Sequence, residues 1–369
     1  MDPGGAGAKA EIGASLELQS RLAYNARVNS LLRHFFELRR RLRRALAGFF
    51  RLPPAPAPAR RLAAGGEALP FFVGINLPWV RYGGDFGASA WSPEGGIARP
   101  ERRGELSLHL RDLKARGFDV VRWFLFCDGR SGIRFTRAGT PLGPDERLVA
   151  DLDAALEELA AARMKVLFVL FDFLWFDKPE RIHGVQTGGR TRVVTRAYKQ
   201  RHLRRCLLRP LLERYGRSGQ ILAWDIVNEP EWATWGWGGG IIGPSVPFLK
   251  MRRFIKRVAR LVHRHTGQLV TVGLGNAAGI PLVRGCGLDF YQAHWYDRWQ
   301  SVAPLERPVG QWDIDRPLLL GEYPTRSSSL TRQAIVDAAR ENGYCGVLAW
   351  SWLAEDEFSG LKQENSTTS

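Results

Sequence analysis

From residue 70 onward the chain alternates short apolar runs with longer helical stretches, and this alternation constrains its fold more than any other feature. The runs are 71–76 (FFVGIN), 119–125 (DVVRWFL), 165–171 (KVLFVLF), 221–227 (ILAWDIV), 269–274 (LVTVGL), 288–293 (LDFYQA), 317–321 (PLLLG) and 346–351 (GVLAWS). Helical candidates lie between them near 104–116, 145–163, 194–215, 246–266 and 328–341. Leu152, Leu156 and Leu159 show the three-and-four spacing of a helix laid on a sheet. Strands apolar on both faces, separated by helices, predict a parallel sheet covered on both sides. Eight such units predict the α/β class and a (β/α)8 TIM barrel. A doubly wound sheet is the alternative, but no GxGxxG follows the first run and no phosphate loop is present. With 369 residues and 45% hydrophobic content, one large core is the expectation.

The first 66 residues read as a separate extension, with the barrel domain spanning 67–369. Residues 1–15 are rich in Gly and Ala and are expected to be disordered. Over 16–50, Val28, Leu32, Phe35, Leu42, Leu46 and Phe49 recur at helical spacing, and Arg39, Arg40, Arg41, Arg43 and Arg44 surround the opposite face. Arginines interrupt every apolar run here and no small-residue cleavage site follows, so a secretory signal is not read. This basic amphipathic helix either lies on a membrane surface or packs on the domain that follows. Pro53, Pro54, Pro56 and Pro58 make a stiff linker. The last run leaves few residues for a final barrel helix, and the tail from Gly360 is poor helix material. The 16–50 helix is therefore expected to cover apolar barrel surface. Deleting residues 1–60 should lower the melting temperature sharply, and an unchanged melting curve would refute that role.

The net charge of +16 fits adhesion to polyanions, yet no nucleic-acid motif accompanies it, and no nucleic-acid partner is expected. No run approaches transmembrane length. Cys127, Cys206, Cys286 and Cys345 form no CxxC pair, and the seven histidines lack metal spacing, so no metal or cofactor is expected. With no signal or membrane span read, a cytoplasmic or membrane-peripheral location and a monomer are the expectations.

The chemistry collects at the C-terminal ends of the runs, where a barrel places its active site. The fourth continues into Asn228-Glu229-Pro230, and the seventh into Glu322-Tyr323-Pro324. Two carboxylates facing each other across a cleft are the minimum needed to cut a glycosidic bond. The first run ends in Asn76, with Trp79 close behind; the second carries Arg122 and Trp123; the sixth leads into His294-Trp295-Tyr296; the eighth offers Trp350 and Trp352. Each alone has a bland reading, a solvated carboxylate or a core aromatic. Thirteen tryptophans also fit stacking on the apolar faces of sugars.

Together, Asn-Glu-Pro after the fourth strand, His-x-Tyr after the sixth, Glu ending the seventh and Trp after the eighth resemble the retaining (β/α)8 glycoside hydrolases. The chain looks most like glycoside hydrolase family 5, the cellulase and β-mannanase family, over residues 70–354. Gly74-Ile75-Asn76 and Arg122 fit the same pattern. The resemblance implies Glu229 as general acid/base, Glu322 as nucleophile and Asn228 on the sugar 2-hydroxyl. It further implies Arg122 and Tyr296 holding Glu322, His294 touching sugar or Glu229, and Trp350 as a sugar platform. Trp79, Trp123, Trp175, Trp232, Trp235, Trp237, Trp295 and Trp299 are further candidate sugar contacts. One departure stands out. Many members carry a His near the end of the third strand, where this chain has Phe171-Asp172-Phe173. Either Asp172 bonds sugar hydroxyls instead, or it serves a neighbouring loop; His183 in the next loop could move in. The Gly- and Trp-rich loop 232–240 is expected to shape or cover the cleft.

The expected function is a cofactor-free retaining hydrolase of β-mannan or β-glucan, with carbohydrate as its partner. A transglycosylase on the same site, a non-catalytic glycan-binding barrel and a membrane-associated scaffold are the competing readings.

Overall fold

Apolar runs become strands when both faces can be covered, and here the sheet covers them by closing on itself. The structure is a computed structural model, described for residues 62–361 apart from 65, 89–91, 93–94, 238–244 and 302. The helix expected over 16–50 and the proline linker therefore lie outside the described residues. Eight parallel strands form the barrel among the described residues: β1 (Phe72–Asn76), β2 (Val120–Phe124), β3 (Lys165–Phe171), β4 (Ile221–Val227), β5 (Leu269–Thr271, resuming as Gly273–Leu274), β6 (Tyr291–His294), β7 (Leu318–Pro324) and β8 (Gly346–Trp350). Each pairs with its sequence neighbours, and β8 returns to β1 with Ala349 opposite Ile75. The two halves of β5 close the ring, with Thr271 opposite Asp225 of β4 and Gly273 opposite Gln292 of β6.

The strand limits depart most from those the sequence predicts at β6 and β7. β6 starts at Tyr291; Asp289 before it exchanges hydrogen bonds with Val270, its N–H donating to the Val270 carbonyl at 2.9 Å and its carboxylate accepting the Val270 N–H at 2.8 Å. β7 runs on to Pro324, which puts Glu322 inside the strand opposite His294.

The helices form the outer layer: α1 (Pro100–Ala115), α2 (Leu148–Ala161), α3 (Ala197–His202), α4 (Arg209–Tyr215), α5 (Phe248–His265) and α6 (Arg332–Glu341). Pro100 opens α1, where its missing N–H costs nothing, and Leu106, Leu110 and Leu113 bury its inner stripe. α5 buries Met251, Phe254, Ile255, Val258, Ala259 and Val262 in the same way. The helix expected over 194–215 is not uniform. Pro210 cannot donate to the carbonyl of Cys206, and the chain widens into a π-helical stretch, Leu203–Leu208, between α3 and α4.

Two apolar regions result. The larger lies between strands and helices. The smaller fills the lower barrel interior with Val120, Leu167, Leu222, Leu269, Phe290, Leu319 and Leu348. Leu62 packs into it, next to the hairpin Ala63–Ala64/Glu67–Ala68. Each such side chain contributes roughly 1.5–3 kcal/mol of burial. The apolar floor leaves the opposite end of the barrel to polar groups.

No helix follows β8 among residues 351–361. That segment turns back instead: the Phe358 carbonyl accepts from the Thr325 and Arg326 N–H groups, and Leu361 is buried. The Phe358 ring packs edge-on against Tyr296 at 5.0 Å and Trp299 at 4.8 Å. Residues 351–361 thus buttress the polar end of the barrel.

Candidate active site

Arg122 organises the barrel centre. It points inward from β2, is wholly buried, and uses all five of its N–H donors. Nε and Nη2 donate to Asp225 Oδ2 at 3.1 and 2.9 Å. Nη1 donates to Asn76 Oδ1 at 3.0 Å and to Glu322 Oε1 at 2.8 Å. The remaining Nη2 donor goes to Asn228 Oδ1 at 2.7 Å. Asp225 also accepts from Gln292 Nε2 at 2.8 Å and from the Gly273 N–H at 3.0 Å. Gly273 leaves the room this cluster needs, since a Cβ there would stand 2.6 Å from both Arg122 Nη2 and Gln292 Nε2. Asn76 donates to the Gly321 and Ala349 carbonyls at 3.0 and 3.1 Å, tying β1 to β7 and β8.

Above this floor stand the two glutamates. Glu322 receives Arg122 on Oε1 and the Tyr296 hydroxyl on Oε2 at 2.8 Å. Glu229 receives Trp232 Nε1 on Oε2 at 2.9 Å. His294 Nδ1 lies between them, 2.8 Å from Glu229 Oε1 and 3.3 Å from Glu322 Oε2. One ligand atom from each of Glu229, His294 and Glu322 falls within 4.8 Å of the others. That trio is also where a cation could sit, although its oxygens are already engaged by Arg122, Tyr296 and Trp232. Glu229 adopts a left-handed backbone, φ +45°, which costs about 1–2 kcal/mol in a non-glycine residue. Its N–H on the Gly273 carbonyl (2.6 Å) and its carbonyl under the Trp232 N–H (3.1 Å) hold that conformation.

The two carboxyls have different partners. Burial pushes Glu229 up to about 7, and only the Trp232 N–H and the Arg122 charge pull it down. Glu322 is raised as well, by burial first and with Glu229 adding to it, while His294, Arg122 and the Tyr296 hydroxyl oppose the rise. His294 is driven down to about 4, chiefly by burial, so its ring is neutral at neutral pH. Tyr296 is raised well above its usual value by burial and then by Glu322, and therefore remains a donor. A carboxyl raised to about 7 thus stands beside one that accepts hydrogen bonds from the Arg122 guanidinium and the Tyr296 hydroxyl, both of which favour its charged form.

Asn76, Arg122, Asn228, Glu229, His294, Tyr296 and Glu322 are joined in one hydrogen-bonded network with Trp232 and Asp172. Asp172 takes Asn228 Nδ2 on Oδ1 at 2.9 Å and the Phe173 N–H at 2.7 Å, and burial raises it to about 8. Trp350 is half-buried and donates to Asp356 Oδ2 at 2.8 Å. Trp79 is half-buried against Tyr82, ring centroids 4.8 Å apart. Several other tryptophans are core residues. Trp123, Trp175 and Trp295 are at most 2% exposed, and Trp123 spends its N–H on Asp85. Trp299 packs on Tyr296, and Trp237 stacks on Phe248. Trp235 is 69% exposed. His183 sits exposed at the turn of the hairpin Glu180–Ile182/Val185–Thr187. Sequence reasoning missed Asp225 and Gln292. Their signal was available: each is a polar residue at an inward position of an otherwise apolar buried strand.

No family model matches the chain. The mannan endo-1,4-beta-mannosidase of Mytilus edulis is 26% identical over 326 residues, covering 78% of this chain and 84% of its own. The protein of the same name from Cryptopygus antarcticus is 23% identical, covering 78% and 81%. Among solved structures, an endo-1,4-beta-mannanase from Eisenia fetida superposes with a TM-score of 0.69 at 22% identity, covering 82% of this chain and 90% of its own. The fold is therefore that of these mannanases, and the chain resembles the retaining (β/α)8 glycoside hydrolases of family 5, mannanase type.

Proposed function

We propose that the protein is a retaining endo-β-1,4-mannanase working by double displacement. The observation that carries this reading is the Glu229–Glu322 pair. Their facing atoms lie within 4.8 Å, close to the roughly 5–5.5 Å of retaining rather than inverting enzymes, and their surroundings are asymmetric. The choice of mannan follows the activity for which the two relatives are named.

In the first step Glu229 gives its proton to the glycosidic oxygen while Glu322 attacks the anomeric carbon. The C–O bond breaks, the leaving sugar departs with the proton, and a glycosyl ester forms on Glu322. In the second step ionised Glu229 takes a proton from water, the water attacks the same carbon, and Glu322 is released. Arg122 and Tyr296 stabilise Glu322 as the leaving carboxylate. Asn228, fixed by Arg122 and Asp172, is placed to bind the 2-hydroxyl. His294 Nδ1 spans both carboxylates and supports Glu229 as its charge changes.

The first step needs protonated Glu229. Activity should therefore be retained below pH 7 and fall about tenfold per unit above it, as the group titrates near 7. A kcat/KM profile flat to pH 9 would contradict the assignment. Digesting β-mannan, glucomannan and β-glucan and following the anomeric signal by NMR tests the rest. Internal cleavage of mannan with β-configured first products is expected. Exclusive release of terminal sugar, or α-configured first products, would reject the reading.

A further inference from the structure

The two neighbouring outer helical stretches 197–215 and 248–265 carry an unbalanced charge. Lys199, Arg201, Arg204, Arg205, Arg209 and Arg214 lie on the first; Lys250, Arg252, Arg253, Lys256, Arg257, Arg260 and Arg264 lie on the second. Glu213 is the one acid between them. The stretches run side by side in the same direction, since Arg257 reaches Gln200 and His265 reaches Glu213. Where they meet, Arg201, Arg204, Arg205, Arg209, Arg264 and His265 line a cavity of about 300 Å³. In sequence the two stretches lead on to β4 and β5, and none of the lining residues belongs to the Glu229–Glu322 cluster.

This cavity is short of negative charge. Glu213 is already shared by Arg209 at 2.8 Å and His265 at 3.3 Å. Arg201, Arg204, Arg205 and Arg264 have no carboxylate partner among the described residues. Arg204 Nε is buried and accepted by nothing among them. Burial, then the charges of Arg257 and Arg201, make the Arg204 cation costly to hold. Arg204 and Arg205 sit in the π-helical stretch that precedes Pro210. Arg201, Arg205 and Arg209 follow one another at intervals of four and so share a face. Converging guanidinium forks with an unspent donor match the tetrahedral oxygens of a phosphate group.

We propose that this cavity binds a phosphate-bearing anion. The shared chemistry is an anionic phosphate group, free or on a lipid headgroup. The proposal is independent of the reading of the barrel cleft.

The test is calorimetric titration of the full chain with inorganic pyrophosphate, and co-sedimentation with phosphatidylglycerol or phosphatidylcholine vesicles, at fixed ionic strength. Wild type is compared with Arg204→Gln/Arg264→Gln, with exposed Arg205→Gln, and with Arg111→Gln/Arg137→Gln as a charge-matched control elsewhere on the surface. Saturable binding of one pyrophosphate per chain is expected, weakened at least about tenfold in the double variant and measurably in Arg205→Gln. The control should stay within about twofold of wild type. Retention of phosphatidylglycerol vesicles, lost in the same variants, would identify a headgroup as the source; pyrophosphate binding alone would identify a free phosphate. Absence of saturable binding to either, or equal weakening in the control, overturns the proposal.

Discussion

Replacing Glu322 by alanine is expected to abolish mannan turnover, lowering kcat by about 10⁵-fold, as removing the attacking group does in other covalent mechanisms. The informative part is what azide then does. In Glu322→Ala the attacking carboxylate is gone, but Glu229 still holds a proton to give. Azide entering the space left by the side chain can attack the anomeric carbon directly, once, with inversion. An activated aryl β-mannoside should therefore yield the α-mannosyl azide. Glu229→Ala leaves the opposite half of the chemistry. Its loss should be smaller, about 10²–10⁴-fold on mannan, and less still on an aryl mannoside whose leaving group needs no proton. Glu322 then forms its ester, and azide attacks that ester from the other face, giving the β-mannosyl azide. The two products, separated by NMR, assign the roles without reference to any relative. The same anomer from both variants would sink the double-displacement reading.

The barrel was legible because each buried strand had to be apolar along its length, and the eight runs had few other ways to be covered. Strand ends were less legible, since they depend on partners far away in sequence. Glu322 falls inside β7 because Leu319, Leu320 and Glu322 find Gln292, Ala293 and His294 across the ladder. The break in β5 at Val272 likewise follows from the strand serving two neighbours. Of the site, the residues at strand ends could be read, but their wiring could not. Nothing local to Asp172 indicated that it holds Asn228. Tryptophan was the least readable residue. Trp175 and Trp232 both follow strand ends by a few positions, yet one is core and the other donates to Glu229. Only the packing around each ring separates those outcomes.

Arg122→Met should cause the largest loss of stability of any single change in the site. Methionine fills much of the volume, so the effect reports charge and hydrogen bonding rather than a cavity. Removing the guanidinium takes five hydrogen bonds from Asp225, Asn76, Asn228 and Glu322 at once. Asp225 and Glu322 then face each other's side of the barrel as buried carboxylates with no cation. Breaking a buried ion pair from one side costs about 3–5 kcal/mol, and here two carboxylates lose the same partner. The sign of the pH dependence follows from the role of Arg122 in lowering Glu322. Without it, the folded-state pKa of Glu322 rises further above its unfolded value. Stability is then retained at low pH, where the buried carboxyl is protonated in both states, and lost as pH rises through the folded value. Urea unfolding of the variant should show a deficit against wild type that is small at pH 5 and several-fold larger at pH 8. A deficit independent of pH would mean that Arg122 matters for packing alone, and that Glu322 does not depend on it for its charge.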